Sequence, residues 1–434
     1  MVKIKVVLSA TNRAWGYLFK EEERKKEIER FKKKLEKIKD KLPEDLELEI
    51  QSFTNSSEET NFISSLNEKE PVIYCGLSAG THGLKILLEK NIPMIFYQQM
   101  YAYHTWNIKE LRKDNVIIFM GSEMNDFIKK IRILYTYMKI PQSKYLLITT
   151  EERKDILERK EILQEKFNFN GELIKPEELI RYYQNSNKEE AEKMAKEFIK
   201  NSIGIIEPTY EEIIDAYRMY LGMENLIKDK GADGITIDCL TLFGLGVMPA
   251  YPCIGFTFLN DRGIPAACEG DVLSLFTMYI YKSLTGFPSF ISDPVIDVSK
   301  NTVIHAHCVA PTKIDGENTS PYVIRSHAED NKSVSLQVKF ERIGEKMTVA
   351  NLIKDADEKI KFVLSTGKLS GNPEINRGCR TKFELEVKDA EKMLKNWPNG
   401  AVSCFGLHRV LVYGNWRDEI EELAKLLNIE VIEE

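Results

Sequence analysis

Histidines and carboxylates stand beside apolar segments in the second half of the chain, where they could bind a divalent metal ion. The chain has six histidines among 434 residues. His305 and His307 stand two apart in a predicted strand, so their rings point to the same side. Imidazoles and carboxylates together suit Mn²⁺-like ions. On spacing alone, a pair of metal ligands and a pair of buried core histidines are equally good interpretations.

The segment Cys268-Glu-Gly-Asp271 places two carboxylates between a small-residue strand and an apolar helix. Gly270 permits a sharp turn between Glu269 and Asp271. Taken alone, the spacing favours an ordinary interpretation, with Asp271 as a helix N-cap and Glu269 on the surface. The apolar residues before Glu269 favour a functional pair, because an unpaired buried charge is costly.

The order of several motifs resembles the L-fucose isomerase and L-arabinose isomerase family, and is closer to its fucose-isomerase-like branch. The resemblance covers the second half of the chain, whereas the first half agrees only in its α/β pattern. The motifs in chain order are Cys268-Glu-Gly-Asp271, Phe290-Ile-Ser-Asp293, His305-Ala-His307-Cys308, Gly378-Cys-Arg-Thr381 and Gly406-Leu-His408.

The resemblance implies a metal-dependent aldose–ketose isomerase that acts on a small sugar, such as a deoxyhexose or a pentose, through an ene-diol. The implied cofactor is Mn²⁺, with Co²⁺ or Mg²⁺ as alternatives, bound by Glu269, Asp271, His307 and His408. The implied acid and base are Glu269, Asp271 and, on an earlier strand, Asp238. Which of Glu269 and Asp271 binds the ion and which moves the proton stays open.

Candidate substrate-binding residues are spread over both halves of the chain. They are Arg13, His82, Gln98, Trp106 and His305. For Gln98 and Trp106 an ordinary core or surface position is the more common interpretation. The resemblance implies that the first domain of a neighbouring subunit closes the pocket, and therefore a homo-oligomer, a trimer or hexamer, with the active site near an interface.

The elements that must position these residues follow from the periodicity of the sequence. Residues 1–143 alternate apolar strands with amphipathic helices, and residues 144–293, which carry the acidic site residues, do the same. Residues 294–434 are mainly successive strands. The predicted fold class is therefore α/β, with two Rossmann-like parallel-sheet domains followed by a mainly β, barrel-like C-terminal domain.

Composition excludes several other functions. A net charge of -6 argues against general nucleic-acid binding. No apolar run reaches the roughly 18 residues of a membrane span. Seven scattered cysteines and an N-terminus without signal-peptide pattern predict a cytoplasmic protein. The partner that the resemblance implies is a small sugar.

Two other functions fit the same residues. One is a non-catalytic sugar-binding or sensory protein on the same scaffold. The other is a related metal-dependent epimerase or lyase that shares the ene-diol step.

Overall fold

A computed structural model describes residues 1–11, 20–68, 70–78, 82–100, 108–329, 331–355, 359–397 and 408–434, without the side chains of 82 and 108. The chain divides into two units. The first holds residues 1–139, 283–285 and 418–429, and the second holds the remainder. In the described ranges, no helix is both long and apolar enough to cross a membrane.

The first unit is a parallel sheet flanked by helices. Its strands are β1 (Val2–Ser9), β2 (Leu46–Phe53), β3 (Val72–Gly76), β4 (Met94–Gln98) and β5 (Val116–Phe119), and its helices are α1 (Glu21–Ile38), α2 (Ser56–Ser64), α3 (His82–Glu89), α4 (Ile108–Leu111) and α5 (Met124–Lys139). Short 3₁₀ helices follow α1 and α5 at Lys39–Lys41 and Ile140–Gln142. The strand order is β2-β1-β3-β4-β5. The fully buried runs of β3 and β4 are typical of a sheet covered on both faces.

The second unit begins with another parallel sheet. Its first strands are β6 (Lys144–Ile148), β7 (Asn170–Ile174), β8 (Gly204–Ile205), β9 (Gly234–Ile237) and β10 (Ala266–Ala267). The parallel sheet has the order β10-β9-β6-β7, and β8 belongs to a separate small sheet. The helices are α6 (Lys154–Phe167), α7 (Pro176–Gln184), α8 (Lys188–Asn201), α9 (Tyr210–Lys230), α10 (Cys239–Gly244), α11 (Cys253–Asp261) and α12 (Val272–Thr285).

An antiparallel barrel follows in the same unit. The remaining strands are β11 (Phe290–Asp297), β12 (Thr302–His307), β13 (Tyr322–Arg325), β14 (Ser335–Val338), β15 (Lys346–Lys354), β16 (Ile360–Gly371), β17 (Thr381–Val387), β18 (Arg409–Tyr413) and β19 (Glu430–Glu433), and the helix of this unit is α13 (Ala390–Lys395). The last helix, α14 (Arg417–Leu426), belongs to the first unit from residue 418 onward. The order β15-β18-β11-β12-β17-β16 closes through a β15–β16 pairing, and β19 adds to β16. Strands β13 and β14 form the small sheet with β8.

The barrel is a packed core, because buried aromatic rings fill it. Phe340 and Phe383 lie 4.5 Å apart between ring centroids, and Phe290 contacts both. The predicted fold class is confirmed: two parallel sheets with helices are followed by a mainly β barrel. The division into three domains stays a prediction, since the second sheet and the barrel belong to one unit.

Candidate metal centre

Glu269 lies in a tight turn between β10 and α12. Asn260 fixes the short edge strand β10 through two hydrogen bonds to Ala266. Its Nδ2 donates to the Ala266 carbonyl at 2.9 Å, and its Oδ1 accepts from the Ala266 N–H at 3.0 Å. Glu269 and Gly270 both have left-handed backbone, with φ of 63° and 67°. That conformation costs a non-glycine residue about 1–2 kcal/mol. The turn that orients the Glu269 side chain therefore has a local conformational free-energy cost.

Glycine is required at position 270 both by the left-handed backbone conformation and by the lack of space for a side chain. A Cβ atom there would lie 2.7 Å from the Ile156 side chain and 3.2 Å from Asp238. The turn thus fits closely against the carboxyl end of β9, and the next residue, Asp271, begins α12.

Asp271 caps α12 and also orients His408. Its Oδ1 accepts from the N–H groups of Leu273 and Ser274 at 3.1 and 3.0 Å, and its Oδ2 accepts from the Ser274 hydroxyl. The same Oδ2 lies 2.9 Å from Nδ1 of His408. A carboxylate at Nδ1 holds the proton on that nitrogen, so Nε2 is the nitrogen of His408 through which a metal ion could be bound.

A second contact fixes the main chain of His408. The amide of Asn351 donates to the His408 carbonyl at 2.8 Å and to the Ser274 hydroxyl at 3.0 Å. Asn351 in turn accepts from Thr277 at 3.0 Å. Buried polar networks of this kind rigidify a site when every member is paired. Helix α12 therefore positions both the ring and the backbone of His408.

Four side chains converge at the mouth of the barrel. Nε2 of His408 lies 3.5 Å from Asp293 Oδ1 and 3.6 Å from Glu269 Oε2. Nε2 of His307 lies 3.6 Å from Glu269 Oε1 and 3.9 Å from Asp293 Oδ2. Atoms bound at about 2.1 Å to one ion stand roughly 3 Å apart when adjacent and roughly 4.2 Å apart when opposite. The four histidine–carboxylate separations fall within that range. The ligand atoms of Asp293, His307 and His408 all lie within 4.8 Å of one another, and Glu269 lies beside both histidines, so one divalent ion could bind here.

The charges of the cluster agree with a cation site. Within the described part of the chain, Glu269 and Asp293 form ion pairs with histidines and with no lysine or arginine. Burial opposes ionisation of Glu269, but the hydrogen bond from His307 and the charge of His408 outweigh it and lower the pKa to about 2. Two carboxylates thus face one point without a permanent cation to neutralise them.

The two histidines differ in the group that contacts Nδ1 of the ring. Burial lowers the pKa of His408, but Asp271 and Glu269 outweigh it and raise that pKa to about 9. The Cys308 N–H donates to Nδ1 of His307 at 3.0 Å, so a neutral His307 carries its proton on Nε2, toward Glu269. At its raised pKa His408 also carries a proton on Nε2 at neutral pH, so an ion would displace the Nε2 proton of either ring, while Nδ1–H of His408 stays on Asp271.

The donor set suits a borderline divalent ion. Two imidazoles and two carboxylates are typical of sites for Mn²⁺ and its neighbours rather than for Mg²⁺, which prefers oxygen. Cys268 Sγ lies 3.5 Å from His307 Nε2, but burial raises the pKa of its thiol well above the usual value, so it stays protonated. The residues present therefore offer a metal ion four candidate donors, namely Glu269, Asp293, His307 and His408.

Other predicted site residues lie elsewhere in the structure. Asp238 follows β9, where Arg153 Nη1 donates to both of its oxygens at 2.7 Å and Thr149 donates at 3.0 Å. His305 is buried inside the barrel, 2.9 Å from the Ser292 hydroxyl and stacked on Phe383, and burial lowers its pKa to about 3. The structure brings neither into the cluster.

The remaining substrate-binding predictions fall in the first part of the chain. Arg13 and Trp106 lie outside the described residues, and so does the side chain of His82. Gln98 is buried at the end of β4. All four stay predictions.

Asp293 is the cluster member that the sequence did not single out as a ligand. It ends the motif Phe290-Ile-Ser-Asp293 and is paired with Ala306, between His305 and His307, in the β11–β12 register. A carboxylate after an apolar run, in a strand preceding the histidine strand, was the available signal. His327 was also left without a role, yet its charge helps to lower the pKa of Glu269.

The chain is similar to curated proteins that share one name. It is 28% identical over 225 residues to the sulfoquinovose isomerase of Clostridium sp. (strain MSTE9), which covers 50% of this chain and 47% of that protein. It is 22% identical over 206 residues to the sulfoquinovose isomerases of Priestia aryabhattai and Priestia megaterium (strain ATCC 12872 / QMB1551), covering 47% of this chain and 44% of each. The matches span about half the length of these relatives. No family model matches the chain.

These relatives are sugar isomerases, which is the general class of enzyme that the sequence motifs predict for this chain. The narrower assignment to the fucose and arabinose isomerase family stays a prediction.

Asp271→Asn is expected to weaken Mn²⁺ binding roughly 10–100-fold, as is usual when the partner of a ligating histidine is lost. Asparagine still caps α12, so the fold should survive. Calorimetric titration with Mn²⁺ measures the affinity, and Asp389→Asn, at the cap of α13, is the matched control. An unchanged affinity in Asp271→Asn would contradict the positioning role of Asp271.

Asp238→Asn is expected to destabilise the protein while most activity remains. Breaking a fully buried ion pair costs about 3–5 kcal/mol, but Arg153 keeps Asp155 as a second partner, so we expect a loss of about 2 kcal/mol. Asp155→Asn removes the exposed partner and should cost about 0.5 kcal/mol. Urea denaturation gives both values, and a collapse of activity in Asp238→Asn at unchanged stability would instead support a catalytic Asp238.

Proposed function

We propose that the protein is a metal-dependent aldose–ketose isomerase. The observation that carries the proposal is the convergence of Glu269, Asp293, His307 and His408 on one point, with interatomic separations that suit one ion. The similarity to proteins named sulfoquinovose isomerase supports the same class of reaction.

The carboxylates of the cluster supply the acid–base chemistry that this reaction needs. Isomerisation transfers the C2 hydrogen to C1 through an ene-diol while a hydroxyl proton passes from O2 to O1. A bound divalent ion supplies Lewis-acid polarisation and orients the two oxygens. Asp293 has a side chain 42% exposed, against 17% for Glu269, so Asp293 is the carboxylate open to a sugar. We assign it the removal of the C2 proton and its return to C1.

Glu269 has a different task in this proposal. Its low pKa keeps it anionic at neutral and mildly acidic pH, so it serves there as a negative charge that holds the ion. Asp271 stays behind His408 and fixes the ring that faces the substrate. Asp293 thus contacts the ion and also moves the proton, whereas Glu269 contributes only its charge to binding the ion.

The test is turnover of aldoses by protein loaded with Mn²⁺, with chelator-treated protein as the control. Sulfoquinovose is the first aldose to try because of the names of the relatives, followed by fucose and arabinose. Ketose formation, lost with the metal and restored by Mn²⁺, is the expected result. Absence of turnover for every aldose, with metal shown to be bound, would reject the proposal.

The same samples separate the two other functions. Sugar binding without metal uptake would favour a non-catalytic binding protein. Deuterium incorporation at C2 in D₂O without any ketose would favour an epimerase.

A further inference from the structure

A cavity of about 130 Å³ lies at the start of β17 and is lined mainly by polar and basic side chains. We call this cavity the basic pocket, because its lining includes Arg325, Arg380 and Lys382. Glu374 is the acidic residue of the lining. Each of the three cations has a different set of partners, and these decide how much charge the pocket can offer a ligand.

Arg325 is largely neutralised. Its Nε donates to both oxygens of Glu207, at 3.0 and 2.8 Å. Arg380 lies 3.6 Å from the same Glu207, and its other contacts are neutral acceptors of Ser326, His327 and Asn331. Within the described residues, Nη1 of Arg380 has no hydrogen-bond partner. Arg380 therefore keeps a donor edge that can face an anion.

Lys382 has no acidic partner among the described residues. Its ammonium group donates to the main-chain carbonyl of Cys379, which leaves two of its three N–H donors unused. Burial lowers the pKa of Lys382, and the smaller effects of Arg380 and Arg325 act in the same direction against the opposing influence of Cys379 and Cys308. Three cations stand against two anions, Glu207 and Glu374, so the pocket has a surplus of one positive charge.

The register of the barrel places the basic pocket next to the metal centre. Asp293 is paired with Ala306, and Ala306 is paired with Lys382, so Asp293 and Lys382 lie on the same face two strands apart. Two strand spacings amount to roughly 10 Å. Cys379 links them, since its Sγ lies 4.0 Å from Asp293 Oδ2 and its carbonyl accepts from Lys382.

That separation matches the length of an open-chain hexose. Five carbon–carbon bonds of about 1.5 Å span roughly 6 Å when extended. A terminal charged group and the side chains of Asp293 and Lys382 cover the remaining distance. A sugar with C1 and C2 at the metal centre thus places C6 near the basic pocket.

We propose that the basic pocket binds an anionic group, a sulfonate, phosphate or carboxylate, at the far end of the aldose that the metal centre isomerises. The proposal rests on the proposed function for the other end of the substrate. A guanidinium edge and an ammonium group are the donors that recognise such oxyanions. Lys382 and Arg380 are then specificity-determining residues.

The experiment measures binding and turnover separately. Protein loaded with Mn²⁺ is titrated by calorimetry with glucose, sulfoquinovose, glucose 6-phosphate and glucuronate, and ketose formation is assayed for each. A hydrogen bond to a charged group contributes about 1.5–3 kcal/mol, so at least one anionic aldose should bind roughly 10–100-fold more tightly than glucose. The three anionic sugars show which charged group the pocket prefers.

Lys382→Gln should abolish the preference for anionic aldoses, and Lys382→Arg should retain it. Lys368→Gln, at an exposed lysine of β16, is the control that should leave the preference intact. Equal affinity for charged and neutral sugars, or an unaltered preference in Lys382→Gln, would overturn the inference. A preference for anionic sugars without ketose formation would keep the basic pocket but reject the isomerase.

Discussion

Glu269→Gln is expected to lower kcat/KM for aldose isomerisation by roughly 10²–10³-fold, the loss that is usual when one electrostatic stabiliser of an active site is removed. Glu269 contacts Nε2 of both histidines, and its pKa of about 2 makes it a full negative charge at neutral pH. Glutamine has the same shape but removes that charge. Initial rates of ketose formation and metal analysis after dialysis measure the two consequences.

The fold should survive Glu269→Gln, because the left-handed backbone at this position is equally costly for both residues. Glu161→Gln, at an exposed position of α6, is the matched control and should have wild-type rates. A Glu269→Gln variant that turns over aldoses at a near-normal rate would show that the cluster is not the active site.

His408→Ala is expected to lower Mn²⁺ affinity by at least roughly 10²-fold and to abolish turnover at micromolar metal. The ring is buried, its Nδ1 side is held by Asp271, and its Nε2 faces both carboxylates of the cluster. Removing it also leaves Asp271 without its charged partner, which should cost about 2 kcal/mol of unfolding free energy. Calorimetric titration with Mn²⁺ and urea denaturation measure the two effects.

His305→Asn provides the comparison for His408→Ala. His305 is equally buried in the same barrel, but it contacts Ser292 and Phe383 rather than the carboxylates. The variant should lose stability and keep its Mn²⁺ affinity. If both variants lose metal equally, the loss reflects disruption of the barrel, and the assignment of His408 as a ligand fails.

The architecture could be predicted from sequence because it depends on local periodicity. Alternating strands and helices indicate parallel sheets, and the run of strands after residue 294 indicates a barrel. Glu269, His307 and His408 could be predicted from the order of motifs. Each of these three residues of the candidate site stands within a recognisable sequence motif.

Contacts between distant segments could not be predicted in the same way. Arg153 precedes Asp238 by 85 residues, and nothing local marks it as the partner of that carboxylate. Asp293 joins the cluster because β11 is paired with β12, a register that spacing does not specify.

The structure shows Asp271 as a helix cap and gives it a contact with His408 that the sequence did not indicate, whereas its direct binding of the metal stays a prediction. Asp271 caps α12 through Oδ1 and hydrogen-bonds His408 through Oδ2. The sequence raised capping and metal chemistry as competing roles, because the position of His408, 137 residues further along, could not be read from it.

A single divalent ion held by Glu269, Asp293 and His408 is the feature on which the proposed chemistry depends. Anomalous diffraction from crystals grown with Mn²⁺, recorded on both sides of the manganese absorption edge, locates the ion directly. The expected result is one peak at bonding distance from all three side chains, with His307 Nε2 nearby. A peak elsewhere, or a saturated protein with no peak among these residues, would contradict the proposed metal centre.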